Sequence, residues 1–359
     1  MGITISTPDA LRQSVEAASG GLNTVLYDAK GYPSVMCVVP RFNIEDIDAG
    51  LGSGTHPAFI VDGVQKSEIF VGKFLARIHD SHALSMPGQD PSVSINFDTA
   101  DARCTVKGPG WHMMTNAEWS AVALWCWKNG FMPRGNTDYG RDHAQTYETG
   151  RRQDGAAPGL SEGTARTLTG SGPASWFHDN SPAGIADLCG NVWEWQRGMR
   201  LVGGEIQIIP DNNAAATGAD HSSSSTLWRA IMPNGTLVTP GTSGTLKWNA
   251  TGTAGAGSPQ LATAVTSQSD GATSASQQYK DVTAADGVTV PNLLKLLGMF
   301  PHGTAIERGR LYVNNGGERL PIRGGNWTYG GFAGVFALNL VFARSLSDAA
   351  LGFRPAFVI

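Results

Sequence analysis

Cysteine is scarce in this chain, with four in 359 residues, at 37, 104, 126 and 189. None falls in a C-x-x-C or Cys/His ligand spacing, so neither a zinc site nor a disulfide framework is indicated, and all four read as small buried hydrophobes. Charge is scarce as well, at 16% against roughly 25% in ordinary soluble chains. Lys and Arg (26) do not outnumber Asp and Glu (30), and no basic block occurs. Nucleic acid is therefore not an expected partner, because its recognition needs a positive footprint. No apolar run approaches the roughly 20 residues that span a bilayer. Residues 1–13 lack the charged start and apolar stretch of a signal peptide. The expectation is a chain made in soluble form, without direct membrane insertion.

Catalytic signatures are missing too. There is no G-x-S-x-G, H-E-x-x-H, phosphate loop or EF-hand loop, and these absences favour binding over catalysis. His79 and His82 offer two imidazoles with no third ligand in reach, and read as solvated loop histidines.

Glycine (46) and proline (19) are abundant, which points to turn-rich β structure with long loops. Thr7-Pro8 opens a short helix that stops at Ser19-Gly20-Gly21. Thr24–Asp28 and Ser34–Val39 flank a turn and form a hairpin, giving residues 1–50 as a small N-terminal unit beside a main domain at 51–359. Two strands, 58–61 and 69–75, are joined at Asp62-Gly63. Thr115-x-x-Glu118 is a capping box, Met114 can staple onto Trp119, and Asn129-Gly130 closes that helix. Residues 132–183 carry little periodicity and read as loops over a scaffold. A Ser/Thr/Gly/Ala-rich insertion at about 203–290 reads as a small hairpin with mobile arms. Pro291 starts one more short helix, closed by Gly298.

Three segments are distinctive: G-W-H-M-M-T-N-A-E-W at 110–119, G-I-A-D-L-C-G-N-V-W-E-W at 184–195, and R-G-G-N-W at 323–327 with G-F-R-P at 352–355. Together they resemble the sulfatase-modifying, or formylglycine-generating-enzyme-like, branch of the C-type lectin fold. That resemblance implies an α+β architecture with antiparallel sheets, flanking helices and long loops. Trp193 and Trp195 alternate onto one strand face and can fill a core, and Gly324-Gly325 permits close backbone approach.

Enzymes of that family bind copper through two cysteines just after R-G-G. The matching positions here are Tyr329 and Gly334, and no cysteine follows Cys189. Thiolate chemistry is missing from the segment, so the chain is expected not to be an enzyme. The calcium tripeptides of sugar-binding C-type lectins are absent. Only a structural calcium near Asn191 and Glu194 is left open by the resemblance, and no cofactor is required.

The segment 323–355 also resembles the variable proteins of diversity-generating retroelements, a group that includes phage tropism determinants. In that group a template rich in AAC codons is randomised to NNC, which cannot encode Lys, Glu, Gln, Met or Trp. Those five types make up 48 of the 359 residues, so about three are expected by chance in the 23 residues 328–350, and none occurs. The resemblance assigns ligand contact to Thr328, Tyr329, Phe332, Asn339, Val341, Phe342, Ser345, Ser347, Asp348, Ala349 and Ala350. A position can vary freely only where it is exposed, since random burial of polar groups costs several kcal/mol of a margin of about 5 to 15. These eleven residues are therefore expected to share one surface, with Tyr329 and Phe332 as anchors. On this reading Tyr329→Ala abolishes binding with the melting temperature nearly unchanged. The implied partner is a protein or cell-surface ligand, met on a phage virion or at a bacterial surface.

Overall fold

The computed structural model describes residues 9–303 and 306–359. It mixes five α-helices, α1 (Ala10–Ser19), α2 (Ile44–Asp48), α3 (Phe97–Thr105), α4 (Asn116–Asn129) and α5 (Asn292–Leu296), with three larger sheets. The expected start of α1 at Thr7-Pro8 lies outside the described residues. Within them, the Asp9 carboxylate caps the helix by accepting from the Arg12 N–H.

The first sheet runs Asn23–Tyr27, Pro33–Pro40, Glu68–Gly72, Pro355–Phe357, Trp111–Met113, antiparallel throughout. The hairpin of residues 23–40 thus forms two strands of the sheet that also takes the last strand of the chain. The Asp62-Gly63 turn joins Ile60–Val61 to Val64–Gln65, not to the strand at 68–72. Both turn residues have positive φ (50° and 73°), and such a turn pairs only its immediate flanks.

Helix α4 forms as its termini dictate. Thr115 Oγ1 accepts from the Glu118 N–H at 3.1 Å, the Glu118 carboxylate accepts from the Thr115 N–H at 3.0 Å, and Gly130 ends the helix at φ 71°. Ten of its 14 residues are buried, so it runs through the core instead of lying on it with one apolar stripe. Met114 and Trp119 join the same apolar cluster.

The insertion is a correction to the sequence reading. It is no hairpin with mobile arms. Strands Met199–Val202, Glu205–Ile208, Arg229–Ile231, Leu237–Val238, Lys247–Ala250, Pro259–Ala262, Thr283–Ala284 and Glu318–Arg319 build one eight-stranded sheet. Trp228, Leu246, Trp248 and Leu261 are buried in or beside it. Its polar tracts are held by side-chain-to-backbone bonds: Asn249 Oδ1 accepts from the Thr266 and Ser267 N–H groups at 3.0 Å each, and Asn315 Nδ2 donates to the Ser267 carbonyl at 2.9 Å.

The C-terminal sheet carries the candidate site. Its order is Ala275–Gln278, Arg310–Val313, Gly334–Leu340, Ile322–Gly324, Trp193–Trp195, Leu351–Gly352. One face, with Leu311, Val313, Phe336 and Leu338, packs into the main core with α4. The other holds Trp193, Trp195, Ile322 and Ala337, with Phe97 of α3 against Trp195 at 5.8 Å. Two of its pairs, 310–313 with 334–340 and 351–352 with 193–195, are parallel. Gly324 and Gly325 sit at φ 92° and 91°, and a Cβ on Gly325 would lie 2.5 Å from Ala333 Cβ. Here the close approach needs glycine.

His82 departs from expectation. It is buried, with Nδ1 2.7 Å from Asp28 Oδ2, while His79 lies exposed with its ring edge-on to Tyr32. The strand pair 76–79 with 82–85 turns His82 inward.

Candidate functional site

After Gly325 the chain leaves the sheet, makes a short turn at Gly330–Phe332 and returns as the strand Gly334–Leu340. That excursion is pinned by its main chain. The Trp327 N–H donates to the Asn191 carbonyl (3.2 Å), the Gly330 N–H to the Thr137 carbonyl (3.0 Å), and Asn326 Oδ1 accepts from both the N–H and the hydroxyl of Thr328 (2.9 Å each). The second excursion, 341–350, is held likewise. The Asp348 carbonyl accepts from the Ser94 and Leu351 N–H groups (2.9 and 3.1 Å), the Ala349 carbonyl from Arg166 (3.2 Å), and the Ala350 carbonyl from the Trp193 N–H (2.8 Å). Arg344 binds Glu318 and Asp98 and its carbonyl accepts from the Phe97 N–H, so this corner belongs to the scaffold.

On this fixed backbone Thr328, Phe332, Ser345, Ser347, Asp348 and Ala349 are exposed, Phe332 at 41%, while Tyr329, Val341 and Phe342 are partly buried. Two of the expected contact residues are corrected. Asn339 is 3% exposed: it lies inside the sheet, paired with Ile322 on one side and Tyr312 on the other, and its Oδ1 accepts from the Val341 N–H. Ala350 is 8% exposed, folded under the loop by its bond to Trp193. Neither can take arbitrary side chains without burying polar groups.

The centre of the surface is aromatic. Tyr329 meets Trp193 edge to face at 5.1 Å and Tyr312 at 6.0 Å, and the Arg310 guanidinium lies 4.7 Å over the Phe332 ring. Phe342 and Leu346 close the cluster on one side. Asp348 is near enough to Tyr329 to act on its hydroxyl, although burial is the main reason that hydroxyl is held above the usual tyrosine range. Burial also pushes Tyr312 up, with Tyr329 adding to it. Both phenols therefore keep their protons at physiological pH. His143, whose Nδ1 is 3.0 Å from Thr137 Oγ1, borders the Gly330-Gly331 backbone, and burial, with Arg308, holds its imidazole below the usual histidine range. Arg310, Tyr312 and His143 were not legible as site residues. Only the alternation Arg310-Leu311-Tyr312-Val313 hinted at an outward face.

The residues present do not fit the metals that the sequence resemblance raises. At the copper-ligand positions stand Tyr329, whose phenol is held protonated, and Gly334, which has no side chain. A calcium ion takes 6–8 oxygens. Near Asn191 and Glu194 the donors are already engaged: both Glu194 oxygens bind Arg354 (2.8 and 3.0 Å), and Asn191 Oδ1 accepts from the Thr167 N–H (2.8 Å).

The four thiols are buried and unpaired. Burial pushes Cys37 up to about 12 and Cys189 up to about 11, and raises Cys104 and Cys126 as well. Each keeps a proton in the folded state that the unfolded chain releases near pH 8.5, so its stabilising share is complete below that pH and lost as pH rises toward the folded value. The expected loss is about 1.4 kcal/mol per pH unit per thiol. Lys107, pushed down to about 8 by burial, works in the opposite sense and offsets about one thiol. Urea midpoints measured from pH 7.5 to 10 should fall, and Cys189→Ala should make the fall shallower. Iodoacetamide should leave all four thiols unmodified until the protein unfolds; rapid alkylation of the native protein would contradict this burial.

Residues 38–232, more than half of the chain, match the family profile described as sulfatase-modifying factor enzyme 1-like domain. The chain belongs to this family. The match covers α4 and the strand of Trp193 and Trp195, and stops before the aromatic surface at 310–350. No curated protein matches the chain. Within this sulfatase-modifying factor fold, no helix among the described residues is long and apolar enough to cross a membrane.

Proposed function

We propose that this chain is a ligand-binding protein, diversified by a retroelement, that presents its C-terminal surface on a C-type-lectin-like scaffold and has no catalytic role. One observation carries the reading. The backbone of 326–350 is fixed to the scaffold by main-chain bonds while Thr328, Phe332, Ser345, Ser347, Asp348 and Ala349 are exposed, and Tyr329 between them rests on Trp193 and Tyr312. Such a surface exchanges side chains without exchanging structure. Rigid aromatic anchors bind at low entropic cost, and adjustable polar neighbours set specificity. The partner is a protein or cell-surface ligand, and the setting is a phage virion or a bacterial surface.

The neighbouring DNA tests the diversification directly. A reverse-transcriptase gene and a near-copy of the 3′ end of this gene, differing only at adenines, are expected; their absence removes the retroelement from the proposal. The enzyme alternative is tested by incubating the protein with copper, oxygen and a sulfatase-type cysteine peptide. No aldehyde is expected, and aldehyde formation would overturn the binding-only role. Within the surface, Phe332→Ala should leave stability within about 0.5 kcal/mol, as for an exposed substitution, while weakening adhesion to the target cell at least tenfold. Retained adhesion would remove Phe332 as an anchor.

A further inference from the structure

A cleft of about 430 Å³ opens between α1 and the first sheet, away from the C-terminal surface. Val15 and Ala18 of α1, Val35, Phe74, Pro87 and Pro182 give it largely apolar walls. Lys73 also lines it, and is 9% exposed. Its backbone is locked: the N–H donates to the Val35 carbonyl (3.0 Å), and its own carbonyl accepts from the Ala186 N–H (2.9 Å) and from Arg354 (3.1 Å).

The ammonium is incompletely matched. Nζ donates to Asn23 Oδ1 and to the Pro182 carbonyl, each at 2.6 Å. An ammonium has three N–H groups, so one remains, and both partners are neutral. No carboxylate among the described residues pairs with it. Asp179 acts only from longer range, and its oxygens hold the Ser181 N–H and hydroxyl. Lys107 is the instructive contrast. It too lacks a carboxylate, but the Trp111 ring covers its Nζ at 3.7 Å, whereas the rings nearest Lys73 Nζ, Phe74 and Phe177, stand at 5.6 and 6.0 Å. A buried cation is costly unless paired, and at Lys73 the missing partner has an open space to occupy.

We propose that this cleft binds a small monoanionic amphiphile, a carboxylate on a short apolar chain, with its head group on Lys73 Nζ and its tail along α1. The volume falls in the range of small-molecule pockets. A single free N–H on a single cation suits one carboxylate oxygen and not a doubly charged phosphate. The apolar walls then remove the chain from water. The inference rests on the first sheet and α1 and is independent of the reading of the C-terminal surface.

Calorimetric titration of the full chain with octanoate, octan-1-ol and octylammonium tests it. Octanoate should bind with one site, and the alcohol and the amine at least tenfold more weakly. Lys73→Met should lower octanoate affinity at least tenfold. Ala18→Trp, which fills the cleft from the exposed side of α1 and leaves Lys73 in place, should abolish binding; it carries the test should Lys73→Met fail to fold. Absence of octanoate binding to the wild-type chain, equal affinity for octanol, or unchanged affinity in a folded Lys73→Met or Ala18→Trp would overturn the proposal.

Discussion

Arg354→Met is expected to cost about 5 kcal/mol or more, enough to unfold most of the protein at 37 °C if its margin is ordinary. Arg354 is completely buried. Its guanidinium grips the buried Glu194 carboxylate with two bonds and donates to the Gly72, Lys73 and Ala186 carbonyls at 2.9 to 3.1 Å. It thereby ties the first sheet to the C-terminal sheet. Methionine would leave a carboxylate stranded without solvent or partner and take a donor from the Gly72, Lys73 and Ala186 carbonyls, of which that of Lys73 keeps its bond from the Ala186 N–H. The double variant Glu194→Leu/Arg354→Met removes the stranded charge and should recover part of the loss, because breaking a buried pair is worse than deleting it. Urea unfolding of the three proteins checks this. A single-variant loss below about 1 kcal/mol would show that the two sheets are not joined through this pair.

Trp193→Ala should cost about 3–5 kcal/mol, as expected for an aromatic removed from a packed site. Trp193 is 4% exposed and supports both Tyr329 and Tyr312. This contact also revises the sequence-based expectation for Tyr329→Ala. Because the Tyr329 ring rests edge-on against the indole, that variant should lose about 1 kcal/mol of stability along with ligand binding, not leave the melting temperature untouched. In the Trp193→Ala/Tyr329→Ala double variant the losses should be less than additive, since the second ring has no partner left to lose. Strict additivity, read from denaturant midpoints, would mean that the two rings do not support one another.

Phe97–Thr105 shows what the sequence offered and local reading missed. Asn96 caps α3 by accepting from the Thr99 N–H at 2.9 Å, and Phe97, Ala100 and Cys104 face inward. The signal was there, in nine residues, too few for the apolar spacing to stand out from loop. At the other extreme, α4 was readable from end to end because a capping box and a left-handed glycine act within a few residues of the chain.

The sequence by itself determined what depends on near neighbours and on the chemistry of single residues: the helix between Thr115 and Gly130, the inward pair Trp193 and Trp195, the glycine pair at 324–325, and the lack of thiols at 329 and 334. Only the tertiary structure decided which side of each outer strand stays uncovered. Period-two alternation separates the two faces of Gly334–Leu340 but cannot say that Tyr312, from a strand more than 20 residues earlier, pairs beside Asn339 and buries it. Likewise, nothing local in the Ser/Thr/Gly tracts of the insertion announces a sheet. Their order comes from Asn249 and Asn315 reaching across 17 to 48 residues of chain to satisfy backbone groups, and bonds of that separation exist only once the fold has brought their ends together.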